Sequence, residues 1–162
     1  RYAHDTGENQ YRRALYTHWQ RSFLHPSLLA FDAPSREECT AERPRSNTPL
    51  QALVLLNDIT YVEAARAFAI RIINEGGKDQ KSRIDWAMNV ALSRNGSPRE
   101  VKLLAELQTA QLKRYADDEK SAVELNTVGL QTPPKDIPPV ELASWTAIAR
   151  TILNLHETIT RY

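Results

Sequence analysis

The sequence predicts an all-α fold, an irregular bundle of about six to seven helices with a long irregular segment near residues 32–47. Helix-start signatures recur along the chain and begin at Ser35, Thr48 and Ser97. At Thr48 and Ser97 a proline follows the hydroxyl residue, and a Gln or Glu stands three residues after it, as in a capping box. Apolar residues repeat at helical spacing, and no alternating β-branched run indicates a strand.

The N-terminal elements are predicted from one apolar stripe and one proline. A first helix covers about residues 9–23 and ends near Pro26, because proline lacks the backbone donor that a helix needs. Its stripe consists of Tyr11, Leu15, Trp19 and Phe23. We interpret the aromatic members, together with Tyr16, as core residues rather than as a sugar or haem platform. A short turn at residues 27–31 is compatible with a helix.

The remaining elements follow from caps and apolar spacing. A buried helix at residues 49–56 is apolar on nearly all sides, and Asp58 then caps a longer helix that runs to about Asn74, with Gly76-Gly77 as its stop signal. Further helices are expected at residues 79–93, 98–115, 118–128 and 140–159. A linker at residues 130–139, with four prolines in ten residues, precedes the last helix. We expect residues 1–162 to form one domain of a larger protein, because the chain begins without methionine.

Composition argues against two classes of partner. The chain carries 21 basic and 20 acidic residues, mixed along its length, for a formal charge of +1. Proteins that bind nucleic acid usually concentrate basic residues in a stripe, so we expect no nucleic-acid partner. The longest apolar stretch has five residues, at 52–56, whereas a membrane span needs about 20. We therefore expect no membrane span in this chain.

No self-sufficient catalytic or metal-binding motif is found in the sequence. The histidines are His4, His18, His25 and His156, and none has a second histidine four residues away. His156-Glu157 resembles the start of a zinc motif, but Thr160 stands where the second ligand should be. We interpret Glu157 as the ion-pair partner of Arg161, and the single cysteine, Cys39, as a small core residue. The domain alone is therefore expected to be no enzyme, with no catalytic residue and no metal.

The segment before the helix at residue 49 is the best candidate for a functional surface. Its candidate anion-binding residues are Asp32, Arg36, Arg43, Arg45, Asn47 and Thr48. A helix N-terminus attracts anions, and guanidinium groups recognise carboxylate or sulfate with two parallel hydrogen bonds. The alternative is structural, because arginine and asparagine side chains also satisfy the backbone of an irregular segment. We favour the structural interpretation and leave the anion-binding one open.

Three sequence blocks carry a family resemblance, and they read YRRALYTHW from Tyr11, HPSLLAFDAPSR from His25 and NTPLQALVLLND from Asn47. They resemble the planctomycete-specific C-terminal domain of unknown function found in exported bacterial proteins with cytochrome c-like modules. Residues 141–147 and 153–159 are similar to the end of that domain. The block that starts at Asn47 is the most specific of them.

The resemblance implies a setting rather than an activity. It implies an exported parent protein, in the periplasm or at the cell surface, with haem c in an upstream module. This domain has no Cys-x-x-Cys-His motif, so no cofactor is expected in it. We expect a non-catalytic accessory or interaction domain whose partners are upstream modules of the same chain, a cytochrome or a cell-surface polymer. The alternative is an anion- or polysaccharide-binding surface for an enzyme site shared with upstream modules. A haem-docking surface would require His18 or His25 beside aromatic residues.

Overall fold

The structure is a computed structural model that describes residues 7–16, 26–34, 39–42, 46 and 48–160. Every regular element in these residues is a helix, which confirms the all-α prediction. The chain divides into two compact units, Arg1–Val54 and Leu55–Tyr162. The expectation that residues 1–162 form one domain stays a prediction. No helix in the described part of the chain is both long and apolar enough to cross a membrane.

The described part of the N-terminal unit contains short helices. Two 3-10 helices, Gly7–Tyr11 and Ala14–Tyr16, precede α1 (Pro26–Ala30), and α2 (Pro49–Asn57) extends across the boundary between the units. The described residues thus break the predicted helix at 9–23, and residues 17–25 lie outside them. The core interpretation is wrong for Tyr11 and Tyr16, which are 43% and 67% exposed, and Leu15 of the same stripe is 72% exposed. Tyr11 and Leu15 lie in two separate 3-10 helices, so the continuous α-helix that would place them on one face is not formed.

Helix α2 lies where the sequence predicts it, but it is not a buried helix. Gln51 is 2% exposed, whereas Leu50 and Leu53 are 57% and 56% exposed. The side chain of Gln51 is drawn inward by hydrogen bonds to Asp32 and Ser46. Because successive helical residues are rotated by about 100°, burying Gln51 turns Leu50 and Leu53 outward.

The C-terminal unit holds the apolar core. Its helices are α3 (Ile59–Glu75), α4 (Gln80–Leu92), α5 (Pro98–Asp117), α6 (Glu119–Asn126), α7 (Pro139–Leu153) and α8 (His156–Ile159). Helix α7 is central, because α3, α4, α5, α6 and α8 all pack against it. Trp145, Ile148 and Ile152 of α7 share one buried apolar cluster with Ile72 and Met88. Eight residues of α7 are buried, so this helix organises the unit.

Caps set the starts of four of these helices; the sequence predicts Asp58 and Ser97 as caps, and the structure adds Asp79 and Asp118. Asp58, Asp79, Ser97 and Asp118 each accept a hydrogen bond from a backbone N–H in the first turn of the helix that follows. Hydrogen bonds from the backbone and side chain of Ser82 lower the pKa of Asp79. Each cap satisfies a donor that the helix itself leaves unpaired, so these four starts are determined locally.

The last predicted helix, residues 140–159, is in fact two helices. Helix α7 ends at Leu153, where the N–H of Asn154 donates to the carbonyls of Arg150 and Thr151. Leu155 is extended, with ψ of 141°, and α8 starts at the next residue. Apolar spacing continues through Leu155, so the pattern does not reveal the backbone break.

Candidate functional site

A polar cluster at the start of α2 contains two of the six predicted site residues. Asp32 Oδ2 accepts the backbone N–H of Ser46 at 2.8 Å, and both carboxylate oxygens accept its hydroxyl at 2.7–2.8 Å. Gln51 Nε2 lies 3.5 Å from Asp32 Oδ2 and 3.3 Å from Ser46 Oγ. Asp32 follows α1 with φ of +56°, a left-handed conformation that aspartate tolerates better than most residues. The cluster therefore joins the end of α1 to the start of α2.

Thr48 and Gln51 form the predicted capping box of α2. The N–H of Gln51 donates to Thr48 Oγ1, and the N–H of Thr48 donates to Gln51 Oε1, both at 3.4 Å. An anion at this helix start would have to compete with Thr48 Oγ1 for the N–H of Gln51. The capping box therefore supports a structural role for Thr48.

The structure describes only part of the predicted anion site. Asp32 and Thr48 are both engaged within the chain, whereas the other four residues lie outside the described residues: Arg36, Arg43, Arg45 and Asn47. Anion binding by this segment therefore stays a prediction. Sequence reasoning missed Ser46, because its bonds reach a carboxylate 14 residues away and no local pattern marks them.

The reactive side chains of the described residues are not assembled into a catalytic or metal site. Cys39 is exposed, so its prediction as a core residue is wrong; residues 39–42, the described stretch that contains it, include no helix. His156 is exposed, and Thr160 Oγ1 lies 3.1 Å from its Nε2. Glu157 pairs with Arg94 at 2.8 Å, and its predicted partner Arg161 lies outside the described residues, as do His4, His18 and His25. Among the described residues, no group of three His, Cys, Asp or Glu could hold a metal.

A second polar cluster is buried in the C-terminal unit. Glu63 and Arg66 of α3 are each 2% exposed. Glu63 accepts the backbone N–H groups of Leu130 at 2.7 Å and Gln131 at 3.2 Å. Arg66 donates to the carbonyls of Asn126, Val128 and Gln131, the last at 2.6 Å. One carboxylate and one guanidinium thus bind the backbone at residues 126–131.

Gly129 makes this close approach possible. Its φ is +97°, which most side chains avoid, and a Cβ placed on it would lie 2.0 Å from Glu63 Oε2. Burial of two charged groups is costly unless hydrogen bonds compensate it, and here they do. We therefore assign Glu63 and Arg66 to holding the start of the proline-rich segment.

Arginine also joins helices at the start of α7. Arg83 Nη1 donates to Glu141 at 2.8 Å, its Nε donates to the carbonyl of Gly77 at 3.1 Å, and its Cζ lies 5.6 Å from the Trp145 ring centroid. This one side chain contacts α7 and the α3–α4 turn, and it covers the central tryptophan. Arg83 therefore stabilises the packing of α7 against the α3–α4 turn.

Comparison with known proteins finds a match between the chain and one family model. The family model described as PSD1, protein of unknown function (DUF1553), matches residues 1–108 of the 162. No curated protein and no solved structure matches the chain. The matched region includes the N-terminal unit and the helices α3 and α4.

Proposed function

The chain belongs to the PSD1 family of proteins of unknown function (DUF1553), and from that premise we propose that it is a non-catalytic interaction domain. Its setting in this proposal is an exported, cytochrome-linked bacterial protein, as its resemblance to the planctomycete-specific domain implies. Haem c belongs to an upstream module, and this domain binds upstream modules of the same chain.

The exposed apolar side chains of the N-terminal unit carry the proposal. Five large ones are between 56% and 72% exposed: Leu15, Tyr16, Leu29, Leu50 and Leu53. Among the described residues of this unit, only Ala30 is a buried apolar residue. Covering apolar surface with another surface lowers the free energy by about 25 cal/mol per Å² buried. Described residues that expose five large apolar side chains and bury one apolar residue have the character of one half of an interface.

Helix α2 is the most specific part of that surface. Leu50 and Leu53 are three residues apart, so they lie on one face of the helix. The nine residues of α2 include no charged side chain. A neutral apolar face favours a protein partner over an anionic polymer, because a polymer of that kind needs cationic groups to bind it.

Deletion of the domain from the full-length parent tests the proposal. We expect the deleted parent to keep its haem content, measured by absorbance, and to form a complex with the separately added domain, measured by size-exclusion chromatography with light scattering. Absence of that complex would reject a role in interaction. Loss of haem on deletion would reject the upstream location of the cofactor.

A further inference from the structure

We propose that residues 154–160 form a hinged strap that opens as a unit while α3–α7 stay folded, with Arg94 as the latch that holds it closed. The strap consists of Asn154, Leu155, the single-turn helix α8 and Thr160. This inference concerns the C-terminal unit alone and does not depend on the proposed function.

The hinge is the backbone break after α7. Asn154 ends the helical hydrogen bonds of α7, and Leu155 is extended, with φ of −66° and ψ of 141°. Rotation there moves α8 without breaking a hydrogen bond inside α7. A helix of four residues is too short to be stable alone, so its order depends on what it packs against.

Little burial holds the strap in place. Helix α8 packs against α4 and α7, but it contains no buried residue, whereas eight residues of α7 are buried. Thr158 Oγ1 donates to the carbonyl of Ile152 at 2.8 Å, close to the hinge. Segments with few buried apolar groups open at lower free energy than the core to which they are attached.

The latch is an ion pair that can open without leaving Arg94 unpaired. Arg94 Nε donates to Glu157 Oε2 at 2.8 Å. Its Nη1 and Nη2 donate to the two carboxylate oxygens of Glu100 at 3.1 and 2.8 Å. When the strap leaves, Arg94 keeps Glu100, and water solvates Glu157, whose side chain is already 54% exposed. Opening therefore exposes the ends of α4 and α7 at little electrostatic cost.

Hydrogen exchange of the whole chain, followed residue by residue by NMR, tests the strap. The reporters are the N–H groups of Thr158 and Thr160, which donate to the carbonyls of Leu155 and His156. We expect both to exchange at least about 100-fold faster than the N–H groups in the middle of α7, because they open without global unfolding. Exchange at the rate of the α7 core would overturn the proposal.

The latch is tested with Glu157→Gln, which removes the pair to Arg94 and leaves the Arg94–Glu100 pair in place. We expect the two strap amides to exchange about two- to fivefold faster, the range for an exposed ion pair. The matched control is Glu75→Gln, which removes the exposed Arg71–Glu75 pair of α3. If Glu157→Gln changes strap exchange no more than Glu75→Gln does, Arg94 is not the latch.

Discussion

Gly129 shows how one residue determines a contact between distant parts of the chain. Its backbone lies against Glu63, whose carboxylate accepts two N–H groups of the same turn. Any side chain at position 129 must displace a buried charge. Such a displacement leaves a buried polar group without its partners, which is among the most destabilising changes a single substitution makes.

We expect Gly129→Ala to lower the free energy of unfolding by about 3–5 kcal/mol, from backbone strain plus loss of the Glu63 bonds. The measurement is urea denaturation followed by circular dichroism. Gly77→Ala is the matched control, because Gly77 has nearly the same φ, +95°, but faces the small Ser82 side chain at 3.2 Å. Strain alone should cost Gly77→Ala about 1–2 kcal/mol. Equal losses in the two variants would refute the contact with Glu63 as the cause.

We expect Glu63→Gln to destabilise the protein by about 2–3 kcal/mol, because the glutamine amide can accept from only one of Leu130 and Gln131 and turns a donor toward the other. Glu124→Gln, at an exposed position of α6, is the control and should change stability by less than about 0.5 kcal/mol. The same denaturation measurement compares them. If Glu63→Gln leaves the free energy of unfolding unchanged, the buried carboxylate does not hold this turn.

These residues also show what sequence reasoning can reach at this scale. The capping roles of Asp58 and Ser97 were predictable, because each cap bonds a backbone group two or three residues away. Glu63 and Arg66 were not, since they stand three apart on a helix and their partners lie 60 or more residues further on. Asp32 was identified as a site residue, but its partner Ser46 has no local signature. The interpretation of Cys39 as core failed because a residue-type preference does not say where an irregular segment lies.

At the scale of the element, the start of α5 combines a cap and an ion pair. Ser97 and Glu100 form the capping box, and Arg94 binds both oxygens of Glu100. The hydrogen bonds from Arg94, and then those from Ser97, lower the pKa of Glu100 from 4.5 to about 2. The carboxylate thus stays charged in the folded protein at pH values where it would take up a proton in the unfolded chain.

This shift gives the stability a defined pH dependence. Because the folded pKa is the lower one, the stabilisation is complete above about pH 4.5 and is lost as the pH falls toward about 2. We expect Glu100→Gln to cost about 1 kcal/mol at pH 7, a value that allows for solvent screening at a side chain 35% exposed. In denaturation at pH 7, 4 and 2.5, the difference in the free energy of unfolding between wild type and Glu100→Gln should become smaller as the pH falls.

The control for that experiment is Glu106→Gln on the same helix. Glu106 is 62% exposed and lies 3.9 Å from Lys102 Nζ, so its removal should cost less than about 0.5 kcal/mol at pH 7. If the difference in the free energy of unfolding between wild type and Glu100→Gln stays constant from pH 7 to pH 2.5, the lowered pKa is contradicted.

Helix positions were predictable where the chain carries both a cap and an apolar pattern. Helices α3, α4 and α5 lie within about two residues of their expected bounds for that reason. The first predicted helix is interrupted at residues 12–13, between two 3-10 helices, although its apolar stripe runs through that point. The last one was predicted as a single helix because the break after Leu153 is made by backbone geometry rather than by a Gly or Pro.

At the scale of the whole molecule, the two units raise the question of whether residues 1–162 are one domain. The C-terminal unit, Leu55–Tyr162, contains the apolar cluster around α7. We expect a fragment of residues 55–162 to fold alone, with a helical circular dichroism spectrum and a single cooperative urea transition. A fragment without a cooperative transition would support the sequence prediction of one domain instead.

The central claim concerns the apolar face of α2, and a binding measurement between the separate parts of the parent protein tests it most directly. The parent without this domain is titrated with the isolated domain by isothermal calorimetry. We expect the wild-type domain to bind, and the double variant Leu50→Asp, Leu53→Asp to bind at least about tenfold more weakly, because two charges would be buried in the contact. Leu103→Asp, at a 55% exposed leucine of α5, should bind like wild type. Absence of binding by the wild-type domain, or equal affinity of the wild type and the double variant, would contradict the account.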